Sequence, residues 1–223
     1  MTIEHAATHA TQLRNGPDDA SAHRVRRSPA PLGARLKVIA PTRPDRDALL
    51  RYLTSLDANL SGRWTSPEYA DPLVTLRDAV HASVAVVAED GALLQWLDAW
   101  KNVTLPVYFE AQDAAWLTHR RARGILAALG SSVDVFKGRT VGQLSLIDAR
   151  LAGFVKSMLV EPELLVLDCL FEGLGYEEQR RAAAFIELFR NRYPLRRILY
   201  LGLFEPDPAM LAGFVPLIQL GKS

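Results

Sequence analysis

"LLVLDCLFEGLG", residues 164–175, is the stretch on which the fold turns. Four apolar residues, Leu164 to Leu167, run into Asp168, which reads as a buried strand delivering a carboxylate to the edge of a sheet. Upstream, Leu151, Phe154, Val155, Met158 and Leu159 recur at helical spacing, and Pro162 stops that helix just before the strand. Downstream, Ala182, Phe185, Ile186 and Phe189 mark a second helix by the same spacing. "RILYLGLF" (197–204) and "FVPLIQL" (214–220) then read as strands, with a short helix between them around Ala209. Alternating helices and continuous apolar strands imply a parallel sheet covered on both faces.

Toward the N-terminus, "RLKVIA" from Arg35 reads as a strand. A loop of six or seven residues should follow, then a helix, "DRDALLRYLTSL", with Leu49, Leu50, Leu53 and Leu56 on one side. Asp45, Arg46 and Asp47 read as its solvated start, the acids well placed at the positive helix end. "SVAVVA" (83–88) is a second β-rich run. "GALLQWLDAWKNVTLPV" (91–107) is a mixed apolar segment carrying Trp96 and Trp100, and a helix spans about residues 113–129. Residues 1–33 have no hydrophobic period and read as a disordered extension. The spacing of His5, His9 and His23 within it matches no metal-ligand pattern.

At 223 residues, 49% hydrophobic and 23% charged, the chain suffices for one domain with a sizeable core. A net charge of +1 gives no electrostatic case for nucleic acid or an acidic membrane surface. One cysteine excludes an internal disulfide framework. No apolar run approaches the roughly 20 residues of a membrane span, and no apolar signal core opens the chain. The expectation is a cytoplasmic protein without direct membrane insertion, open to binding at the inner face of the membrane through a membrane protein.

Read together, "GQLSLIDARLAGFVKSMLVEPELLVLDCLFEGLG" (142–175) resembles the signature motif, following helix, Walker B strand and D-loop of ABC-transporter nucleotide-binding domains. "VVAEDGALLQWLDAWKNVTLPV" (86–107) is similar to their Q-loop and permease-engaging region, and "APTRPDRDALLRYL" (40–53) sits where their phosphate loop and its helix belong. The resemblance covers about residues 35–219. It implies an α/β, P-loop NTPase-like domain over 34–223: a parallel sheet flanked by helices, a helical subdomain at about 92–160 and a reduced N-terminal β-subdomain. Within the family, the "GALL…W…NV.LP" stretch resembles importers of lipid-trafficking (MCE-type) systems and of small anions such as nitrate and sulfonates.

The departures from that family concern its chemistry. A phosphate loop needs glycines for close backbone approach, a lysine for the β- and γ-phosphates and a Ser or Thr for magnesium. Here no glycine occurs between Gly33 and Gly62, and no lysine between Lys37 and Lys101. Arg46 falls at the lysine position, Asp45 at the preceding glycine and Asp47 at the Ser/Thr. A carboxylate about 4 Å from a phosphate oxygen is unfavourable by about 1 kcal/mol in water and about 4 kcal/mol at an effective dielectric of 20. Glu89 stands at the Q-loop glutamine, Leu146 and Ile147 at the signature glycines, Cys169 at the general base, Gly175 at the D-loop aspartate and Leu203 at the switch histidine. Ser145 and Asp168 alone match the family.

Each vestige also has a plainer reading. Ser145 with Asp148 makes a capping-box-like helix start. Asp168 reads as a structural acid, and Cys169 as a small, semi-buried residue rather than a redox sensor. Trp96 and Trp100, four apart, share a face if their segment is helical, and serve either as a partner interface or as core. The resemblance and its departures imply a non-hydrolysing ATPase-like subunit, scaffold or regulator, of a permease or companion ATPase, or a homodimer, in lipid transport or a related system. They imply no catalytic residue, metal or cofactor, the vestigial nucleotide positions being Arg46, Asp47, Glu89, Ser145 and Asp168. Two alternatives stand: weak ATP hydrolysis with magnesium through Arg46 and Asp168, Glu172 positioning the water, or a sensor using the vacated cleft.

Overall fold

A computed structural model describes residues 31–54, 76, 83–106 and 115–217. The extension expected over 1–33 therefore lies outside the described residues, apart from its last three. Gly33, at φ +70, donates its N–H to the Leu195 carbonyl at 2.9 Å, and the Ala34 N–H closes a local turn onto Pro31 O at 3.2 Å.

Strands β1 (Arg35–Ile39), β2 (Val84–Val87), β3 (Leu164–Asp168), β4 (Arg197–Gly202) and β5 (Val215–Pro216) form one sheet in the order β2-β3-β4-β1-β5. Every neighbouring pair is parallel. The strands β3 and β4 are buried at every position, as their unbroken apolar sequence requires. Because β4 lies between β1 and β3, Ile39 pairs with Gly202 while Asp168 pairs with Leu201. The carboxyl ends of β1 and β3 thus open onto the same edge, about 10 Å apart at two strand spacings.

Helix α1 (Arg43–Thr54) covers one face, placing Leu49, Tyr52 and Leu53 in a cluster with Leu36, Val38, Val166 and Leu199. Helices α4 (Leu146–Leu159) and α5 (Tyr176–Arg192) cover the other, where Phe154 and Phe185 stack at 4.9 Å in a cluster with Leu165, Leu167 and Ile198. Two further helices, α2 (Ala99–Val103) and α3 (Ala115–Ala128), pack against α4. Together α4 and α5 match the spacing of apolar residues in the sequence. Ser145 caps α4 as read, its Oγ accepting the Asp148 N–H at 3.2 Å and donating to Asp148 Oδ2 at 2.6 Å.

One close approach carries the loop after β2 onto α4. A Cβ on Gly91 would lie 2.2 Å from the Ala149 carbonyl oxygen, and one on Gly153 would lie 2.8 Å from Gly91 O. Gly91 also holds φ +78, so glycine is required there on both counts.

Several expectations are corrected. The six- or seven-residue loop after β1 is a three-residue turn, 40–42, because α1 begins at Arg43 and accepts Pro44 in its first turn, where no N–H is needed. Residues around Ala209 form turns rather than a helix, with the Asp207 carboxylate accepting the Ala209 N–H at 2.8 Å. Strand β5 is confined to Val215–Pro216, and residues 218–220 of the expected strand lie outside the described residues. The described strands all belong to the one sheet.

Candidate functional site

The carboxyl edge of the sheet is where four of the sequence-selected residues meet. The turn at 40–42 is closed on itself: the Asp45 N–H donates to Thr42 Oγ1 at 3.3 Å, Thr42 Oγ1 donates to Asp45 Oδ2 at 2.6 Å, and the Arg46 N–H donates to Thr42 O at 3.1 Å. With Pro44 lacking an N–H, the start of α1 presents an acid and its own cap where an anion would otherwise sit.

Arg46 departs most from its sequence reading. It is no part of a solvated helix start: its side chain is 11% exposed and turns across β4 into the sheet edge. The guanidinium donates to Asp47 Oδ1 through Nη2 at 2.7 Å and Nε at 3.0 Å, to Glu89 Oε2 through Nη1 at 2.9 Å, and to Cys169 Sγ through Nη1 at 3.3 Å. Asp168 Oδ1 lies 3.6 Å from Nη1. Burial works against the charge of Arg46, but the contacts with Cys169, Asp47, Asp168 and Glu89 more than offset it and hold its pKa above the ordinary arginine value.

The surrounding groups respond in different directions. Burial raises the Asp168 carboxyl above the usual range, with Arg46 opposing the shift. Glu89 is pulled below its ordinary value, since hydrogen bonds from Arg43 and Arg46 outweigh its desolvation. Arg43 completes the pairing at Nη1–Oε2 3.2 Å and Nη2–Oε1 3.5 Å. Burial pushes the Cys169 thiol up to about 12 despite the Arg46 hydrogen bond, so it is an uncharged core residue and no thiolate nucleophile.

Arg150, on α4, was not singled out in the sequence. Fully buried, it donates through Nε to Glu89 O and through Nη1 to Leu170 O, both at 2.9 Å, tying the loops after β2 and β3 together. An arginine inside the apolar run "LIDARLAGF" was the available signal. Arg43 left none, because its partner lies 46 residues away.

The remaining positions lie outside this cluster. Ser145 is spent on capping α4. Glu172 accepts the Leu203 N–H at 2.6 Å, linking two motif positions through a structural hydrogen bond. Gly175 starts α5 with its N–H on Glu178 Oε2 at 3.0 Å. Trp96 and Trp100 do not share a helical face, since α2 begins at Ala99 and Trp96 stands in the turn before it, 78% exposed. Trp100 instead packs its ring 5.6 Å from His119, in a cavity of about 490 Å³ shared with Trp116, Arg120 and Arg123.

A parallel sheet flanked by helices, with strand-end acids and the start of α1 converging on its carboxyl edge, defines an α/β domain of the P-loop NTPase-like architecture. Solved structures share this arrangement. Similar to this chain are cbiO1 from Clostridium perfringens, part of the ABC transporter complex cbiONQ (TM-score 0.56, 14% identity, covering 82% of this chain and 76% of that one), and the dimeric bacterial ABC transporter cassette MJ0796 (TM-score 0.57, 14% identity, 83% and 82%). At such identity the likeness establishes the fold. In sequence, the chain is similar to the taurine import ATP-binding protein TauB of two Pseudomonas aeruginosa strains. The match to the PAO1 protein is 31% identical over 107 residues, and that to the UCBPP-PA14 protein 30% over the same length. The match takes in 48% of this chain and only 40% of the length of these relatives. No family model matches the chain. In fold the chain is similar to ABC transporter cassettes, and over 107 residues its sequence is similar to an import ATP-binding protein.

Proposed function

We propose that the chain is a non-hydrolysing ABC ATPase-like subunit that associates with a transporter permease or a companion ATPase as a scaffold or regulator, in the cytoplasm at the inner face of the membrane. One observation carries the reading: the guanidinium of Arg46 is held by Asp47 and Glu89, beside Asp168 and Cys169, where the family's phosphates and magnesium would have to be received. The residues present do not fit that group. The turn before α1 is three residues long without glycine, the acid of Asp45 occupies the helix start, and the Arg46 cation facing Asp168 is engaged with carboxylates. A triphosphate would have to break these pairings and face Asp45 and Asp47 without a wrapping backbone. On this reading Asp168 persists as the buried counter-ion of Arg46.

Partner binding is assigned to the aromatic surface around α2 and α3. Trp96 (78% exposed) and Trp116 (63% exposed) are large rings left in solvent, as anchor residues of an interface are, and Trp116 borders the cavity that Trp100 also lines. Relatives named for taurine import favour a small-anion or sulfonate importer over lipid transport as the system served. The direct test is binding of peptides covering the cytoplasmic loops of a permease encoded beside this chain. Saturable binding weakened by Trp96→Ala and Trp116→Ala supports the reading; binding indifferent to both substitutions, or none, defeats it.

A further inference from the structure

A second feature of the carboxyl edge is a cavity of about 440 Å³ bordered by Phe171, Glu172, Tyr200, Phe204 and Glu205, within the size range of small-ligand sites. Its charges are unequally matched. Arg43 and Glu89, which also border it, pair with each other, and Glu205 pairs with Lys37. Glu172 has the Leu203 N–H on Oε1 and no ion pair within 4 Å among the described residues, the buried Arg150 acting on its charge only from farther off. Beneath it lies a second unmatched group. Tyr200 is fully buried, yet its hydroxyl has no hydrogen-bond partner. The ring runs along β4 toward the carboxyl edge, so that its oxygen sits 2.5 Å from where a Cβ on Gly202 would be, and it packs 5.6 Å from Phe171. Burial and the Glu172 carboxylate keep the phenol neutral, hence both donor and acceptor.

An unpaired carboxylate, an orphan hydroxyl and aromatic faces in one cavity share a single complement. We propose that this cavity binds a small organic ammonium cation, its N–H donors shared between Glu172 and the Tyr200 hydroxyl and its carbon chain against Phe171 and Phe204. Cation–π attraction from the rings adds to the carboxylate, and the sequestered phenol gains the partner it lacks. The 71% exposure of Phe204 leaves that wall open for entry. This inference rests on the reading that the carboxyl edge no longer receives nucleotide.

The test is titration calorimetry of the whole chain with n-butylammonium, butyrate and a fluorescent ATP analogue, each up to about 10 mM where solubility allows. Butylammonium should bind and butyrate should not. Glu172→Gln keeps the acceptor for the Leu203 N–H and should weaken butylammonium by about tenfold or more, and Tyr200→Phe by about threefold. Phe204→Ser, on the exposed wall, supplies a variant that leaves the core alone and should also weaken it. No butylammonium binding, equal binding of butyrate, or affinity unchanged in both Glu172→Gln and Phe204→Ser overturns the proposal. Binding of the ATP analogue would instead defeat the non-nucleotide reading of the site, whatever butylammonium does.

Discussion

The two ends of strand β3 live in different environments. Along its length, Leu165 and Leu167 face the Phe154–Phe185 stack while Leu164 and Val166 face α1, and this apolar packing is what the α/β scaffold requires. At its carboxyl end, Asp168 and Cys169 meet Arg46, and three carboxylates surround one guanidinium supplied by the chain itself. The contrast shows how a scaffold and its chemistry separate. Packing depends on apolar volume along the strand and survives any change at its tip, whereas the tip retains structure only if its buried acid keeps a counter-charge, whatever group supplies it.

Breaking the apolar half should have the largest effect. Phe185→Ala removes one ring of the stack and should cost about 3–5 kcal/mol in denaturant unfolding. If the cost is under about 1 kcal/mol, α5 does not hold the sheet as described. At the polar end, Arg46→Met strands the buried Asp168, and should cost about 3 kcal/mol, the low end for such pairs because Asp47 and Glu89 stay hydrated. Asp168→Asn in the same chain should recover part of that loss, so a double-mutant cycle with no coupling would show that Arg46 does not serve Asp168.

Two local contacts carry smaller effects. Gly91→Ala should destabilise by roughly 1–3 kcal/mol through its positive φ and the contact with Ala149, and should shift Glu89 away from Arg46. Ser145→Ala, a cap outside the charged cluster, should cost about 1 kcal/mol and leave every property of the Arg46 cluster alone. Acid titration gives the finest test. Glu89 is depressed in the folded chain, so its contribution is present above the ordinary glutamate value of about 4.3 and is lost as pH falls through its lower folded value. Stability of wild type should fall in that window more than that of Glu89→Gln. Asp168 is raised by burial, and its contribution runs the other way: present at low pH and lost as pH rises through its folded value.

The apolar half was legible because periodicity is local. Leu151 to Leu159, Pro162 and Leu164 to Leu167 lie within a few turns of one another, and their pattern alone places α4 and β3. The polar end was legible only as positions. Motif spacing selected Arg46, Glu89 and Asp168, but nothing local reveals that a guanidinium crosses a strand to meet acids 43 and 122 residues away. Periodicity placed α1 after Pro44, whereas proline is tolerated within the first turn, and so the shortness of the 40–42 turn was hidden. Trp96 was misplaced because the i, i+4 spacing carries meaning only inside a helix, and α2 spans just Ala99–Val103.

The central question at this edge is whether Arg46 stands where ABC cassettes receive nucleotide. Equilibrium binding of a fluorescent ATP analogue, with and without magnesium, at protein concentrations up to about 100 μM reads this directly, since binding weaker than about −5.5 kcal/mol goes unseen there. With Arg46 held by its own carboxylates, no saturable binding is expected under either condition. Saturable, magnesium-dependent binding that disappears in Asp168→Asn would contradict this and return the site to ATP.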